Sequence, residues 1–222
     1  MTDDQGLRIA DQGLRAAAQD LRLAVAAAVA ALTPALAADW TVPADGLEWD
    51  CWETVEHAAD GLLAYALQLG PARPPMDDYV HLAWRRDRPG APASAIRIDR
   101  AAGPAALLEA LEAAGAVLAA VVATASPSTR AFHSYGVSDP AGFAAMGVVE
   151  TLVHGDDAAR GLGLDWAPPA EPCARALARL FPEVRVGADP WTALRWATGR
   201  AELPGEPGRR VFERWHSAPL AD

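Results

Sequence analysis

The chain contains five histidines, and one of them stands at metal-ligand spacing from a carboxylate. Glu150 and His154 are four residues apart, so on a helix they share one face, one turn from each other. The same face is otherwise apolar and carries Phe143, Met146, Gly147 and Val153. A carboxylate and an imidazole on a core-facing stripe cost several kcal/mol unless they are paired or bound to a metal. The spacing therefore indicates a metal site, a surface salt bridge or a buried hydrogen-bonded pair.

A third ligand would have to come from another helix, and His57 is the natural candidate. It lies on the second predicted helix, whose apolar stripe is formed by Val55, Leu62, Ala66 and Leu69. His57 falls on the polar flank of that stripe. Periodicity alone therefore predicts that His57 lies at the surface.

Four further residues are candidates for supporting roles. Asp157 lies one turn beyond Glu150 and His154, where it could orient His154, pair elsewhere or act as a helix-end charge. His133 and Tyr135 stand in the loop before the fourth helix and either face the site or form an exposed pair. Arg200 could hold an anionic group bidentately or form a salt bridge to the bundle. His81 and His216 lie in Arg-flanked segments and are expected to be solvated.

Apolar periodicity and end signals predict four long helices and two shorter ones. The first helix has a seam at Leu14, Ala18, Leu21, Val25, Ala28 and Leu32. The second runs from about 51 to 69, and the third from about 104 to 124. The fourth starts at Asp139-Pro140 and ends at Gly163. The shorter helices cover about 170–180 and 190–198.

These elements predict an all-α protein, an up-and-down four-helix bundle over residues 1–166 followed by a short helical extension over 167–222. The segment 71–103 is irregular and rich in Pro and Arg. Only Ala95–Asp99 alternates as a strand would, and a single strand makes no sheet.

Composition excludes several function classes. The formal net charge is −10 and every basic residue is an arginine, a poor match for a nucleic-acid backbone. The only cysteines, Cys51 and Cys173, form no CxxC pair, which disfavours a zinc ribbon or a disulfide scaffold. The N-terminal segment is acidic and its Ala-rich run is interrupted by Pro34, unlike a signal peptide or a membrane span. We expect a cytoplasmic protein that binds neither nucleic acid nor a membrane.

Two segments carry a family resemblance. In residues 46–57 a tryptophan, Trp49, stands eight positions before His57 on the helix. In residues 149–163 the Glu-x-x-x-His pair is followed by an Asp-containing helix end and Leu-Gly, and Thr198-Gly199-Arg200 resembles a Gly-Arg motif. The chain resembles the DinB-like superfamily and, within it, the mycothiol-dependent maleylpyruvate isomerase N-terminal domain family of actinobacteria.

The resemblance implies a four-helix bundle with a divalent metal at one end of its core, bound by His57, Glu150 and His154. Two histidines and one carboxylate leave open positions, as in catalytic rather than structural zinc sites. Zinc is the expected metal, although nickel, iron or manganese would suit the same ligands. The resemblance also implies a low-molecular-weight thiol, with mycothiol as a candidate co-substrate. His133, Tyr135 and Asp157 are then the candidate catalytic residues, and Arg200 the candidate for binding the cofactor.

Three functions are compatible with this reading. The first is a metal-dependent S-transferase or isomerase, in which the metal activates a thiol for addition to a small electrophile. The second is a hydrolase that uses metal-activated water. The third is a non-catalytic, metal-binding helical regulatory protein. In the first reading the partners are a small-molecule substrate and a low-molecular-weight thiol, and the protein is a monomer or a homodimer.

Overall fold

The computed structural model describes residues 3–184, 189–203 and 205. Within them the chain forms six α-helices, two single 3₁₀ turns and no strand. The helices are α1 (Asp3–Leu32), α2 (Cys51–Leu69), α3 (Gly103–Thr124), α4 (Pro140–Gly161), α5 (Ala170–Leu180) and α6 (Pro190–Ala197). The prediction of an all-α bundle followed by shorter helices is confirmed. Helices α5 and α6 belong to the predicted extension, whereas His216 lies outside the described residues.

The four long helices surround one core. Helices α1 and α2 each pack against both α3 and α4, so α1 and α2 lie across a diagonal of the bundle. Side chains of α1, α2 and α3 meet at Gly147 on α4. A Cβ atom there would lie only 2.9–3.1 Å from side-chain atoms of Leu62, Leu118 and Leu21. The predicted seam of α1 is buried at every position. Glycine at position 147 thus lets three helices approach the fourth closely.

Helices α2 and α4 run antiparallel. Leu62 lies beside Gly147 near the middle of both helices, and Cys51 Sγ lies 3.6 Å from the carbonyl oxygen of Ala158 near one end. The first turns of α2 therefore lie beside the last turns of α4. This arrangement brings His57 opposite His154.

Both helices begin at well-formed caps. Asp50 accepts a hydrogen bond from the backbone N–H of Glu53, whose side chain accepts one from the N–H of Asp50, a capping box at the start of α2. Asp139 accepts from the N–H of Gly142 at the start of α4, and Pro140 occupies the first turn. Because the caps fix where each helix begins, they also fix which residues of α2 and α4 face each other.

The connection between α2 and α3 lies along the outer face of α2 and contains no strand at Ala95–Asp99. In residues 95–98 of this connection, backbone N–H groups bind side chains instead of a partner strand. Those of Ala95 and Ile96 donate to Asp60 Oδ1 at 2.8 and 2.9 Å, and that of Ile98 donates to Glu56 Oε1 at 2.8 Å. The alternating sequence thus reflects an extended segment attached to a helix.

Two helical stretches, Ile9–Ala35 and Arg100–Thr124, are long and apolar enough to cross a membrane by length and composition. Core helices of a bundle pass the same test. Both stretches contribute buried residues to the core shared with α2 and α4.

Candidate metal centre

Helices α2 and α4 bring His57, Glu150 and His154 together at one end of the bundle. One ligand atom from each residue lies within 4.8 Å of the others, and His154 Nε2 lies 3.2 Å from Glu150 Oε2. The surface position that periodicity predicts for His57 is wrong, because His57 is half-buried. The loop before α2 and the end of α4 cover that flank of the helix.

Trp49 forms the cover over the two histidines. Its ring centroid lies 4.9 Å from that of His57 and 5.8 Å from that of His154, and the two imidazoles are 5.4 Å apart. The indole Nε1–H donates to the carbonyl oxygen of Gly90 at 2.9 Å. Trp49 is therefore fixed at both edges and restricts the orientation of both imidazole rings.

Asp157 and Arg200 form a second layer behind His154. Asp157 Oδ2 lies 3.2 Å from His154 Nδ1. The Arg200 guanidinium donates to Asp157 through Nε and Nη2 at 2.8–3.1 Å, and through Nη1 to the carbonyl oxygen of Thr198 at 2.9 Å. Asp157 thus contacts His154 as one of its predicted roles requires. Arg200 makes the salt bridge to the bundle that the sequence left as an alternative to anion binding.

Tyr65 lies beside Glu150, and sequence reasoning missed this position. Its side chain is close enough for the Glu150 charge to act on the phenol. Burial and the Glu150 charge together hold the pKa of the phenol well above its usual value of 10.0, so it remains a donor. Its spacing on α2, eight residues beyond His57, was the available signal, since residues two turns apart share a face.

The ligand set has strongly shifted pKa values. Burial raises the pKa of Glu150, but the hydrogen bond from His154 and the neighbouring positive charges outweigh burial and bring it to about 2. Burial lowers the pKa of His154, but hydrogen bonds to Asp157 and Glu150 outweigh it and raise the value to about 9. In the metal-free protein the two residues form a charged pair at neutral pH.

His57 differs from His154 because no carboxylate contacts it closely. Burial, helped by the positive charge of His154, lowers its pKa to about 4, so the ring is neutral at pH 7. Its Nδ1 is buried and has no hydrogen-bond partner among the described residues. A buried ring nitrogen without a partner raises the free energy of the folded protein. A metal bound to the His57 ring would offset part of that cost.

The residues present therefore fit a divalent metal. They supply two imidazoles and a carboxylate, a donor set that zinc and several transition metals accept while keeping open positions. Asp157 contacts the second nitrogen of His154, the outer contact typical of a metal-ligating histidine.

Two cavities reach the candidate centre and share His57 and Glu150. The smaller, of about 190 Å³, is also lined by Val149, Val153, His154, Thr198 and Arg200. The larger, of about 390 Å³, is also lined by Asp60, Gly61, Ala64, Tyr65, Tyr79, Trp84 and His133. A bound metal would thus be accessible from two cavities that have different lining residues.

Of the predicted loop pair, the structure places His133 against the larger cavity. Its ring is buried, which lowers its pKa to about 4, and its Nδ1 accepts the backbone N–H of Tyr135 at 3.3 Å. That bond leaves the ring proton on Nε2. Tyr135 packs on His133 with ring centroids 5.4 Å apart but is not among the described residues that line either cavity. His81 is exposed.

With this geometry established, a comparison with protein families is informative. Residues 10–159 match the family model for the mycothiol maleylpyruvate isomerase N-terminal domain. The chain belongs to the mycothiol maleylpyruvate isomerase N-terminal domain family. No match was found among curated proteins or among solved structures.

The domain of this family contains all three candidate ligands. His57, Glu150 and His154 lie within the matched residues, as do Asp157 and His133. Arg200 lies beyond them, although its guanidinium contacts Asp157 at the end of α4. The family domain thus carries the candidate metal centre, and the segment after α6 supplies one of its outer contacts.

Neither cysteine is placed to act as the nucleophile of this domain. Cys51 and Cys173 are both buried, and burial raises the pKa of each thiol to about 12. A thiolate is the reactive form, so these two thiols are inert at neutral pH. Any thiol chemistry at the candidate centre must use a thiol from outside the chain.

Proposed function

We propose that the protein is a divalent-metal enzyme that transfers or adds a low-molecular-weight thiol to a small electrophile, or isomerises the electrophile by reversible thiol addition. The observation that carries this proposal is the convergence of His57, Glu150 and His154 at the junction of two cavities. Membership of the family supports a thiol as co-substrate, with mycothiol the first candidate, and supports zinc as the first candidate metal.

A metal held by these three residues would lower the pKa of a coordinated thiol, so that the thiolate predominates at neutral pH. The chain's own residues hold the ligands in place. Asp157 accepts the Nδ1 proton of His154, which leaves Nε2 free of a proton for a metal. Arg200 fixes the carboxylate of Asp157.

The two cavities allow two substrates to meet at the centre. The smaller cavity is lined by His154 and Arg200. We assign the thiol to it because the N–H groups of Arg200 that are not used by Asp157 and Thr198 can donate hydrogen bonds to polar groups of that molecule. The larger cavity is assigned to the electrophile. His133 lines it, and its Nε2–H can donate a proton or a hydrogen bond to an oxygen that becomes negative as the thiol adds.

The proposal is tested first by metal analysis of the purified protein and then by turnover. With zinc-loaded protein, mycothiol and monochlorobimane, we expect a fluorescent thioether: a C–S bond forms, the C–Cl bond breaks, and chloride and the thiol proton leave to solvent. Product should depend on both the metal and the thiol. Folded protein that never binds a stoichiometric divalent ion would contradict the proposal.

His154→Ala and Glu56→Gln provide a matched pair of variants. The first removes a ligand on α4, and the second alters a buried carboxylate on the other side of α2 that contacts Ile98. We expect no metal and no thioether with the first variant and normal values with the second. Consumption of an electrophile by the metal-loaded protein without any thiol would instead support the use of metal-activated water.

A further inference from the structure

The larger cavity has walls that differ from those of the smaller one. Tyr65, Tyr79 and Trp84 contribute aromatic rings, whereas no arginine is among the described residues that line it, and the chain has no lysine. The Tyr79 hydroxyl is already engaged with Ser134 at 3.0–3.2 Å, and the Tyr65 phenol lies beside the Glu150 charge. Such a surface favours an apolar molecule, and apart from a metal at His57 and Glu150 its described residues offer no fixed cation to an anionic one.

The remaining acidic group of this cavity is Asp60, on α2 one turn beyond His57. It is 2% exposed, and its Oδ1 accepts the backbone N–H groups of Ala95 and Ile96. Its Oδ2 is buried and has no hydrogen-bond partner among the described residues. The positive charge of Arg97 acts on the Asp60 carboxylate. The Arg97 guanidinium, however, forms its salt bridge with Asp87, at 2.9 Å. One carboxylate oxygen thus remains as an unsatisfied acceptor beside the cavity.

We infer that the larger cavity binds an apolar molecule that carries an N–H donor, an amide or an ammonium group, and that Asp60 Oδ2 accepts this donor. The role of that molecule as the electrophilic substrate rests on the proposed function. Its chemical class rests on the aromatic walls and on Asp60. A carboxylate in the place of this donor would meet the Asp60 charge in a poorly solvated space, so this position discriminates against an anionic group.

Three isosteric probes test this inference: benzamide, acetophenone and benzoate. They share a phenyl ring and a carbonyl oxygen and differ in an N–H donor, a methyl group and a negative charge. Their dissociation constants for the zinc-loaded protein are measured by ligand-observed NMR. We expect benzamide to bind about tenfold more tightly than acetophenone, as suits a hydrogen bond to a charged acceptor. Benzoate, the anionic probe, reports attraction to the metal.

The variant Asp60→Asn makes the test specific. Because Oδ1 accepts two backbone N–H groups, the asparagine carbonyl must take that place and its NH₂ group must take the place of Oδ2. The acceptor becomes a donor, so the preference for benzamide over acetophenone should fall to within about twofold, less than the value of one neutral hydrogen bond. Glu56→Gln, on the same helix but not among the described lining residues, should keep the tenfold preference.

Equal binding of benzamide and acetophenone, no saturable binding of benzamide, or an unchanged preference in Asp60→Asn would each overturn the inference. Coordination of the probe carbonyl by the metal would give the first of these results, because all three probes carry that oxygen. Metal content is measured in the same samples. Asp60→Asn is expected to bind metal normally, so a failure of this inference is distinguishable from a failure of the proposed metal chemistry.

Discussion

Helix α2 carries two sets of polar side chains that are at least partly removed from solvent, and different contacts stabilise each set. The outer row, which consists of Glu53, Glu56 and Asp60, is covered by the connection to α3. Each of these carboxylates accepts N–H groups from the cap or the connection; Glu53, for example, accepts the Arg88 guanidinium. On the other side of α2, His57 meets Glu150 and His154 instead.

The difference shows which property marks a candidate site. Buried carboxylates alone do not, because the outer row is bound mainly to the protein's own backbone and serves to attach a connection without secondary structure. At the ligand cluster three donor atoms converge within 4.8 Å, and one buried nitrogen of His57 has no partner. Convergent lone pairs indicate metal binding, and Asp60 alone in the outer row retains an unpartnered oxygen beside a cavity.

The largest expected effect is on zinc affinity, which should differ between a variant of the ligand cluster and a variant of the outer row. His154→Ala removes one ligand of three, so zinc affinity should fall by more than about 100-fold, beyond the loss usual for outer contacts alone. Glu56→Ala should bind zinc as the unaltered protein does. Competition with a chromophoric chelator measures both constants, and circular dichroism checks the helical content. Equal zinc affinity in the two variants would remove the distinction between the regions.

A substitution in the outer row should instead lower the stability of the fold. Glu56→Ala leaves the N–H of Ile98 without its acceptor and weakens the attachment of the connection to α2. The free energy of unfolding should fall by about 2 kcal/mol, the cost of a buried polar group that loses its partner. Urea unfolding of the metal-free protein measures it. A loss under about 0.5 kcal/mol would show that water replaces the carboxylate at little cost.

Outer contacts of the ligand cluster should have an intermediate effect. Asp157→Asn puts an NH₂ group where a carboxylate oxygen contacts either His154 or Arg200, so one of the two contacts is lost. Zinc affinity should fall about tenfold. Asp156→Asn is the matched control, because Asp156 is the adjacent buried aspartate and pairs with Arg160 and Arg195 instead of His154. Similar losses in both variants would contradict a specific role for Asp157.

The smallest effect concerns pH in the metal-free protein. The folded-state pKa of His154 is raised from 6.5 to about 9, so this residue stabilises the fold fully below pH 6.5 and loses that contribution as pH rises to about 9. We expect the free energy of unfolding to decrease by about 1 kcal/mol over that range, since the cavity mouth admits water. His154→Gln should remove most of this slope. A stability that rises from pH 6.5 to 9 would contradict the assigned ion pair.

Much of the fold was predictable because local signals mark the helix ends. Asp139-Pro140 predicted the start of α4, and the predicted limits of α5 agree with Ala170–Leu180. The burial of the outer row was not predictable. It depends on residues 71–102, which have no periodicity and adopt their path only through contacts with α2.

The candidate site was predictable in part for a similar reason. Glu150 and His154 are neighbours on one helix, so their spacing alone brings them together. His57 joined them only through the family resemblance, since its own helix pattern favoured the surface. The contacts of Trp49 with the two histidines depend on how separate elements pack, which no local pattern encodes.

The most direct test of the central claim is anomalous scattering from crystals of the zinc-loaded protein, recorded on both sides of the zinc absorption edge. We predict one strong anomalous peak among His57, Glu150 and His154, at about 2.0–2.2 Å from a nitrogen of each histidine and a Glu150 oxygen. A protein that contains stoichiometric zinc but shows its anomalous peak elsewhere would contradict this metal site.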